Sequence, residues 1–438
     1  MLSAPHFFYV FGLGKSGQSA VRYFQNQGLS VKAWDDSPET RKIIDAHLLQ
    51  DPATINWAMV EKIILSPGIP HEGMHAHPVL LSAKDHGIPI VVDIEIFLER
   101  LLSNPNHTVI GITGTNGKST TTSLLCHVLQ CFGKKAIAAG NIGIPVLDLP
   151  STEEETYYIL ELSSYQLTLL KTHRLDLAVL LNITPDHLAY HGNMESYVKT
   201  KESIFSFLRP EKEDQGIVII DDSYTQSIYK KYAHLKPVST DPQKPTFSLK
   251  LQPLEQLQGN HNAQNILACY AALQMLIPEQ IEDALFLDAL KTFKALPHRQ
   301  EVVLKTSHIL FINDSKATNM DAAEKSLKTF QNIHWILGGQ AKSGESPISL
   351  RHLFSHITHV YLVGSSLETF AKDLEGVLPY TLSKTVEQAT KDAFQKAKKG
   401  DVILLAPACA SFDQFKNFEE RGNFFKTYAK KIAGLSDD

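Results

Sequence analysis

The stretch Gly111-Ile-Thr-Gly114-Thr-Asn-Gly117-Lys118-Ser119-Thr120 decides how this chain is read. Before it, His107-Thr-Val-Ile-Gly-Ile is a β-branched run expected to form a buried strand, and after it Thr121 to Cys131 is expected to form a helix. Strand, glycine-rich loop and helix are the context in which a Gly-Lys-Ser turn holds polyphosphate. The glycines let backbone N–H groups close on phosphate oxygens, and the helix N-terminus favours their negative charge. Lys118 then reaches the β/γ-phosphates and Ser119 can ligate Mg²⁺. The motif is a variant: five positions before Gly117 stands Ile112, where the Walker A pattern has glycine, so Gly111 and Gly114 fall out of the usual phase.

Around this loop the composition is that of a soluble globular enzyme. The chain has 438 residues, 43% hydrophobic and 20% charged, with a formal net charge of −5. That length predicts two to three domains. A slightly acidic balance with dispersed basic residues argues against nucleic acid as the main partner. The apolar run Phe7 to Leu13 is too short for a signal peptide or a membrane span and is broken by glycine. Cys126, Cys131, Cys269 and Cys409 form no C-x-x-C pair and no zinc spacing with histidine, so free thiols and a cytoplasmic location are expected.

Three segments separate on pattern, with expected boundaries at residues 1–93, 94–296 and 297–438. In the first, Phe7 to Phe11, Val31 to Trp34 and Lys62 to Ser66 read as strands and Ser19 to Gln27 as a helix. In the second, Tyr157 to Leu162 and Leu177 to Ile183 read as buried strands. In the third, Ile309 to Asn313, His334 to Gly339, His359 to Gly364 and Asp401 to Ala406 are strands. Thr385 to Lys398 is a helix there, with Ala389, Ala393 and Ala397 on one face, and Asp241 to Pro245 is a surface turn. Alternating strands and helices predict an α/β protein with a mostly parallel, doubly wound sheet in each domain and ligands at the carboxyl ends of the strands.

Gly12-Leu-Gly14-Lys15-Ser16-Gly17 fits G-x-G-x-x-G after a strand and has Asp35 eighteen residues beyond Gly17. The chemistry suits NAD(P), another nucleotide diphosphate, or a purely structural turn. The ATP loop in the next segment favours the second, because hydride transfer has no need of ATP. Glu161 ends a strand where a buried carboxylate calls for Mg²⁺, with a solvated strand-end glutamate as the alternative. His187 lies just past another strand, and a lone histidine is more often structural. Lys201, taken by itself, reads as an exposed helical lysine.

Taken together, the motifs resemble the Mur ligase family, and within it the branch that adds D-glutamate. The resemblance is carried by Gly111 to Thr120, Glu161-Leu-Ser-Ser-Tyr-Gln166, Asp186-His187-Leu188, Gly259-Asn-His-Asn262-Ala-Gln-Asn265, Leu296-Pro-His-Arg299, Asn313-Asp314-Ser-Lys316-Ala-Thr318-Asn319 and Ser411-Phe-Asp-Gln-Phe-Lys-Asn-Phe418-Glu-Glu-Arg-Gly422. It implies Rossmann-like N- and C-terminal domains around a P-loop ATPase-like centre. It also implies that UDP-N-acetylmuramoyl-L-alanine is joined to D-glutamate at the expense of ATP, through an acyl phosphate, in cytoplasmic peptidoglycan synthesis. A monomer is expected, with no membrane insertion.

The resemblance assigns Gly114, Thr115, Asn116, Gly117, Lys118, Ser119, Thr120, Asn265, Arg299 and Asp314 to ATP. Gly14, Lys15, Ser16, Asp35, Ser66 and Asn141 fall to the UDP substrate, and Thr318, Lys342, Ser411 and Phe418 to D-glutamate. Two Mg²⁺ sites are implied, using Ser119, Glu161, His187 and Lys201, the last as a CO₂-derived carbamate because an ammonium cannot ligate a cation. Lys118, Lys201, His187 and Lys316 form the catalytic set. Ala189, where an aspartate is expected, with Lys15 and Asp36, departs from the family pattern. Two rivals are another ATP-dependent amide ligase of the superfamily, such as a folylpolyglutamate synthetase, and a P-loop switch in which hydrolysis drives a conformational change.

Overall fold

The computed structural model describes residues 6–71, 76–104, 106–232, 234–241, 243, 257, 260–294, 296–341 and 344–435. Three sheets organise these residues. The first holds β1 (Phe7–Phe11), β2 (Val31–Trp34), β3 (Val60–Leu65) and β4 (Ile90–Val91) in the order β2-β1-β3-β4, all parallel. The second holds β5 (Thr108–Thr113), β6 (Ala136–Gly140), β7 (Tyr157–Glu161), β8 (Leu177–Leu180), β9 (Gly216–Ile219) and β10 (Lys236–Val238) in the order β10-β9-β8-β5-β7-β6, again all parallel. The third holds β11 (Glu301–Lys305), β12 (Ile309–Asn313), β13 (Ile333–Gly338), β14 (Ile357–Val363), β15 (Tyr380–Lys384) and β16 (Asp401–Leu405) in the order β11-β12-β16-β13-β14-β15. Only β11 runs antiparallel among the described strands.

Parallel strands packed on both faces need continuous apolar runs, and the central strands have them. Residues 177–180 of β8 and Val109, Ile110 and Ile112 of β5 are sealed from solvent. The expected mostly parallel α/β architecture is therefore the observed one.

The differences lie at element ends and sheet edges. The helices Lys15–Asn26 and Lys118–Cys131 start three or four residues earlier than their apolar periodicity suggests. Gly14 and Gly117 supply the break, so the polar loop residues form the first helical turn instead of preceding it. The helix Val386–Lys396 buries Ala389 and Ala393, but Ala397 has extended backbone and lies beyond its end. The turn expected at Asp241 to Pro245 falls largely outside the described residues.

The chain gathers into two compact units, Met1–Lys250 with Gln264–Thr292, and Leu251–Ala263 with Phe293–Asp438. The first unit contains the first two sheets. Its two sheets are tied by the helix Asp93–Leu101, whose Ile94, Phe97 and Leu98 are fully buried. Glu95 on that helix accepts bonds from the N–H groups of Lys171 and Thr172 and from the Thr172 hydroxyl at 2.9–3.2 Å. The buried Arg174 adds a second tie, donating to the carbonyls of Leu101, Asn104 and His107 and to Asp176 Oδ2 at 2.6 Å. No described helix is long and apolar enough to cross a membrane.

Candidate active site

In the second sheet the chain leaves β5 for one side, through β6 and β7, and later returns to the other side with β8. The crevice therefore opens at the carboxyl end of β5, where Gly114 to Gly117 stand. Gly111 is not part of that loop. It sits inside β5, where a Cβ would lie 2.7 Å from Leu175 Cδ1 and 3.1 Å from Leu162 Cδ1, so its role is packing. Gly117, by contrast, has φ +83° and caps the helix, and a Cβ there would lie 2.3 Å from Asn265 Oδ1. Asn265 thus presses directly on the loop, and it also accepts from the Thr121 hydroxyl at 3.1 Å. From the other side Asn182, at the end of β8, accepts from the Asn116 N–H at 2.9 Å and donates to its carbonyl at 3.1 Å. The Asn182 carbonyl takes the Thr115 N–H at 2.8 Å.

Inside this cradle Lys118 Nζ folds back onto the carbonyls of Gly114 and Thr115, at 2.8 Å each. Lys201 Nζ donates to the same Gly114 carbonyl at 2.9 Å. Lys201 is 1% exposed, on the face of the helix Met194–Glu202 that also buries Tyr197, so the reading of an exposed helical lysine is corrected. Burial, followed by the neighbouring Lys118 charge, holds its amine well below the usual lysine range.

Glu161, at the end of β7, is 2% exposed. Its Oε1 accepts from Asn141 Nδ2 at 3.0 Å, while its Oε2 is buried with no hydrogen-bond partner. A solvated strand-end glutamate is thereby excluded. An orphaned carboxylate oxygen beside a phosphate loop fits a divalent cation completed by phosphate and water oxygens. Among the described residues no three His, Cys, Asp or Glu side chains form a ready-made metal cage. His187 has the left-handed backbone φ 53°, ψ 28°; its Nδ1 lies 3.1 Å from the Tyr165 hydroxyl and its Nε2 3.3 Å from Asp186 Oδ2. His191 nearby is held near pKa 4, by burial first and then by Lys201.

The first sheet repeats the layout at the ends of β1, β2 and β3. Gly12 has φ +90°, and a Cβ on Gly17 would lie 1.9 Å from the Gly12 carbonyl, so the turn and the helix behind it pack backbone to backbone. Asp35 Oδ2 accepts from the Leu13 N–H at 2.7 Å and Ser66 Oγ donates to the Gly12 carbonyl at 2.9 Å. Gly14 and Lys15 are exposed at the helix N-terminus with Ser16 half-buried, which leaves that end of the helix open to solvent. The Arg41 guanidinium, which the sequence did not single out, donates to the Asp35 carbonyl and stacks 4.1 Å over Trp34.

In the second unit, the crevice lies at the ends of β12, β13 and β16, where β16 is inserted between strands made earlier. The Lys316 ammonium sits 4.0 Å over the ring of Phe418. Thr318 and Ser411 are not helix caps: Asn319 caps the helix Met320–Thr329 and Asn417 caps Phe418–Ile432. Ser411 is buried and Phe418 half-buried, at the first position of its helix. Arg421, which the sequence left without a role, binds this crevice together. It donates from Nε to Ser315 Oγ at 2.9 Å, from Nη2 to the Ser315 carbonyl at 2.8 Å and from Nη1 to the Cys409 carbonyl at 3.0 Å. His298, with φ 64°, receives the Lys316 N–H on its carbonyl at 3.1 Å and places Nδ1 2.9 Å from Asn313 Nδ2.

Asp314 is buried, and desolvation outweighs its bond from Ser326 to push its carboxyl up to about 6. Arg299, beside it in charge terms, is half-buried. Lys342 and the Ala189 side chain lie outside the described residues. The residues that sequence reasoning missed, Asn182 and Thr184, share one signal: polar groups that end an apolar strand beside the loop. Thr184 contributes a carbonyl and a hydroxyl to Thr115 and Asn116 at 3.1 and 3.3 Å.

Two outcomes test these geometries. Gly117→Ala should weaken ADP binding about tenfold or more, measured by calorimetry, because the left-handed backbone and the Asn265 contact both exclude a Cβ. Asp314 has a folded pKa near 6 against 3.8 for the free group. Between those values the folded state keeps a proton that the unfolded state has lost, so stability falls as pH rises from about 4 to about 6 and stays reduced above. Asp314→Asn should remove that loss, roughly 2–3 kcal/mol, in urea melts across this range.

Comparison with known proteins matches this architecture along the chain. Residues 6–92 match the Mur ligase MurD-like N-terminal domain, 112–243 the Mur ligase middle domain and 298–409 the Mur ligase glutamate ligase domain. The UDP-N-acetylmuramoylalanine--D-glutamate ligase of Paramagnetospirillum magneticum is 40% identical, over 95% of this chain and 94% of that one. Its counterparts from Rhodospirillum rubrum and Rickettsia bellii are each 38% identical, over 97% and 95% of this chain and 94% and 95% of theirs. Among solved structures, the UDP-N-acetylmuramate-alanine ligase of Thermotoga maritima shares the fold, with a TM-score of 0.62 at 16% identity over 97% of this chain and 99% of that one. A MurF ligase from the same organism, solved with ADP, gives a TM-score of 0.58 at 17% identity, over 98% and 96%. With the loop geometry and these full-length likenesses together, the chain belongs to the Mur ligase family.

Proposed function

We propose that this chain is an ATP-dependent ligase that joins UDP-N-acetylmuramoyl-L-alanine to D-glutamate in peptidoglycan synthesis, releasing ADP and phosphate. The observation that carries this reading is its 40% identity, along 95% of its length, to a ligase named for that reaction. A second reading as a bare P-loop switch leaves the match to the glutamate ligase domain at 298–409 without a task.

In this reading the three sheets divide the work, with residues 1–93 taking the UDP substrate, 94–296 ATP, and 297–438 D-glutamate. Gly14, Lys15, Ser16, Asp35 and Ser66 receive the UDP, and Asn141 the muramoyl-alanyl end. Gly114 to Thr120 and Asn265 hold the phosphates, and Arg299 and Asp314 are assigned to ATP. The substrate carboxylate takes the γ-phosphoryl group, and the amine of D-glutamate displaces phosphate from the acyl phosphate through a tetrahedral intermediate. A carboxylate approaching a triphosphate meets strong like-charge repulsion, which Lys118 and Lys316 offset. Thr318, Lys342, Ser411 and Phe418 frame D-glutamate, a dianion that needs cationic and donor groups.

Mg²⁺, when bound, would neutralise phosphate charge and polarise the transferring group. Ser119 and Glu161 would hold one ion, and the orphaned Glu161 Oε2 supports that assignment. His187 and Lys201 would serve a second, Lys201 as a carbamate: the free amine attacks CO₂, a C–N bond forms and one proton leaves. The deep burial of Lys201 beside Lys118, which disfavours the ammonium, supports this. The enzyme would act in the cytoplasm as a monomer.

The deciding assay is ADP formation with UDP-N-acetylmuramoyl-L-alanine against D-Glu, L-Glu, L-Ala and meso-diaminopimelate. Turnover independent of D-Glu would defeat the proposal. Lys201→Ala should lose activity at least about a hundredfold and regain part of it with a short-chain carboxylate, while ¹³C-bicarbonate should give the parent protein, and not the variant, a carbamate carbon signal. An unimpaired Lys201→Ala would remove Lys201 from the metal site.

A further inference from the structure

His187 stands at the head of a helix only four residues long, Leu188–His191, which ends at Gly192 with φ +79°. A left-handed backbone on a residue other than glycine costs about 1 kcal/mol or more, and a single turn contributes little cooperative stability of its own. Something outside must hold this turn. The backbone bonds within it, from the N–H groups of Tyr190 and His191 to the His187 carbonyl at 3.0 and 3.1 Å, tie its parts together but do not place it.

On its own sheet the turn is held by His191, whose Nε2 lies 3.0 Å from Ser164 Oγ, and a second anchor, next to His187 itself, comes from the other sheet of the same unit. Tyr190 Oη lies 2.5 Å from Nδ1 of His71, which is 2% exposed. His71 in turn is fixed on every side: its Nε2 is 3.0 Å from Thr168 Oγ1, and its carbonyl accepts from Lys84 Nζ at 3.0 Å. Thr168 donates to the Tyr165 carbonyl at 2.8 Å. The Tyr190 ring packs edge-on against the Tyr165 ring at 4.3 Å between centroids, and the Tyr165 hydroxyl reaches His187 Nδ1 at 3.1 Å. Both the backbone of His187 and its imidazole are thus steadied from Tyr190, the first through the turn and the second through Tyr165. His71 follows Ser66 by five residues, on the loop that leaves β3.

We propose that His71 and Tyr190 are positioning residues that brace the His187 turn, so that the loop carrying Ser66 also sets the orientation of His187 for its cation. The inference rests on the reading of His187 as a metal-serving residue.

Tyr190→Phe is the sharpest test, because it keeps the ring packed on Tyr165 and removes only the hydroxyl. Mn²⁺ is titrated into the protein with UDP-N-acetylmuramoyl-L-alanine present, and the free ion is followed by electron paramagnetic resonance. The variant should raise the Mn²⁺ dissociation constant about tenfold. Its kcat should fall while KM for ATP stays at the parent value, since the Gly114 to Gly117 loop is untouched. His71→Ala should reproduce both changes, and the double variant should be no worse than His71→Ala alone. Parental Mn²⁺ affinity in Tyr190→Phe, or effects that multiply in the double variant, would overturn the brace. A parent protein that neither binds Mn²⁺ nor forms ADP with D-glutamate would defeat the proposed function and this inference with it. A parent that does both, matched by an indistinguishable Tyr190→Phe, would defeat the brace alone.

Discussion

The phosphate loop is cinched between two asparagines, and the rest of the site takes its position from that grip. Asn182 holds Asn116 by both its N–H and its carbonyl, while Asn265 closes on the space where a Cβ at Gly117 would stand. The loop therefore keeps its carbonyls pointing inward at Gly114 and Thr115, and two lysine amines gather on them. Lys201 is the more deeply buried of the two, and burial together with the Lys118 charge holds its amine well below the usual lysine range. Loop shape, lysine protonation and the orphaned carboxylate of Glu161 are thus parts of one electrostatic arrangement.

The fold makes that arrangement three times over with different contents. Each sheet reverses its strand order once, and each reversal opens a crevice at the strand ends. In the first a helix N-terminus lies open; in the second cations crowd a glycine loop; in the third a lysine lies against an aromatic ring. All three suit anions, and the reaction proposed for this chain brings together a diphosphate, a triphosphate and an acidic amino acid.

How much of this was legible in the sequence follows from where the information is local. Strands buried on both faces, such as β1, β5, β8 and β12, announce themselves as unbroken apolar runs. The edge strands β4, β6, β10 and β15 do not, because two buried residues alone, a few half-exposed ones or an Ala-Gly run such as Ala136–Gly140 carry little β signal. Motif position was equally local: Lys118 and Ser119 open the helix after the loop and Glu161 ends its strand, as the sequence suggests, whereas Asn265 enters only through the family resemblance. Lys201 was not legible by itself, since a lysine in Tyr197-Val-Lys-Thr-Lys reads as solvated until a distant carbonyl is brought over it. Tyr197, four residues earlier on the same buried face, was the available clue. Gly111 misled in the opposite direction, a glycine kept small by Leu175 and not by phosphate.

Arg421 is sealed among oxygens that carry no formal charge, the Ser315 hydroxyl and carbonyl and the Cys409 carbonyl, and burial lowers it only to about 10, so it stays cationic. A charge that water cannot reach is one that dissolved ions cannot cloak. Salt therefore loosens its hold on the Ser315 and Cys409 segments far less than it loosens a surface ion pair. The strap across the third crevice is thereby built to keep its shape over ionic strengths at which exposed ion pairs fade.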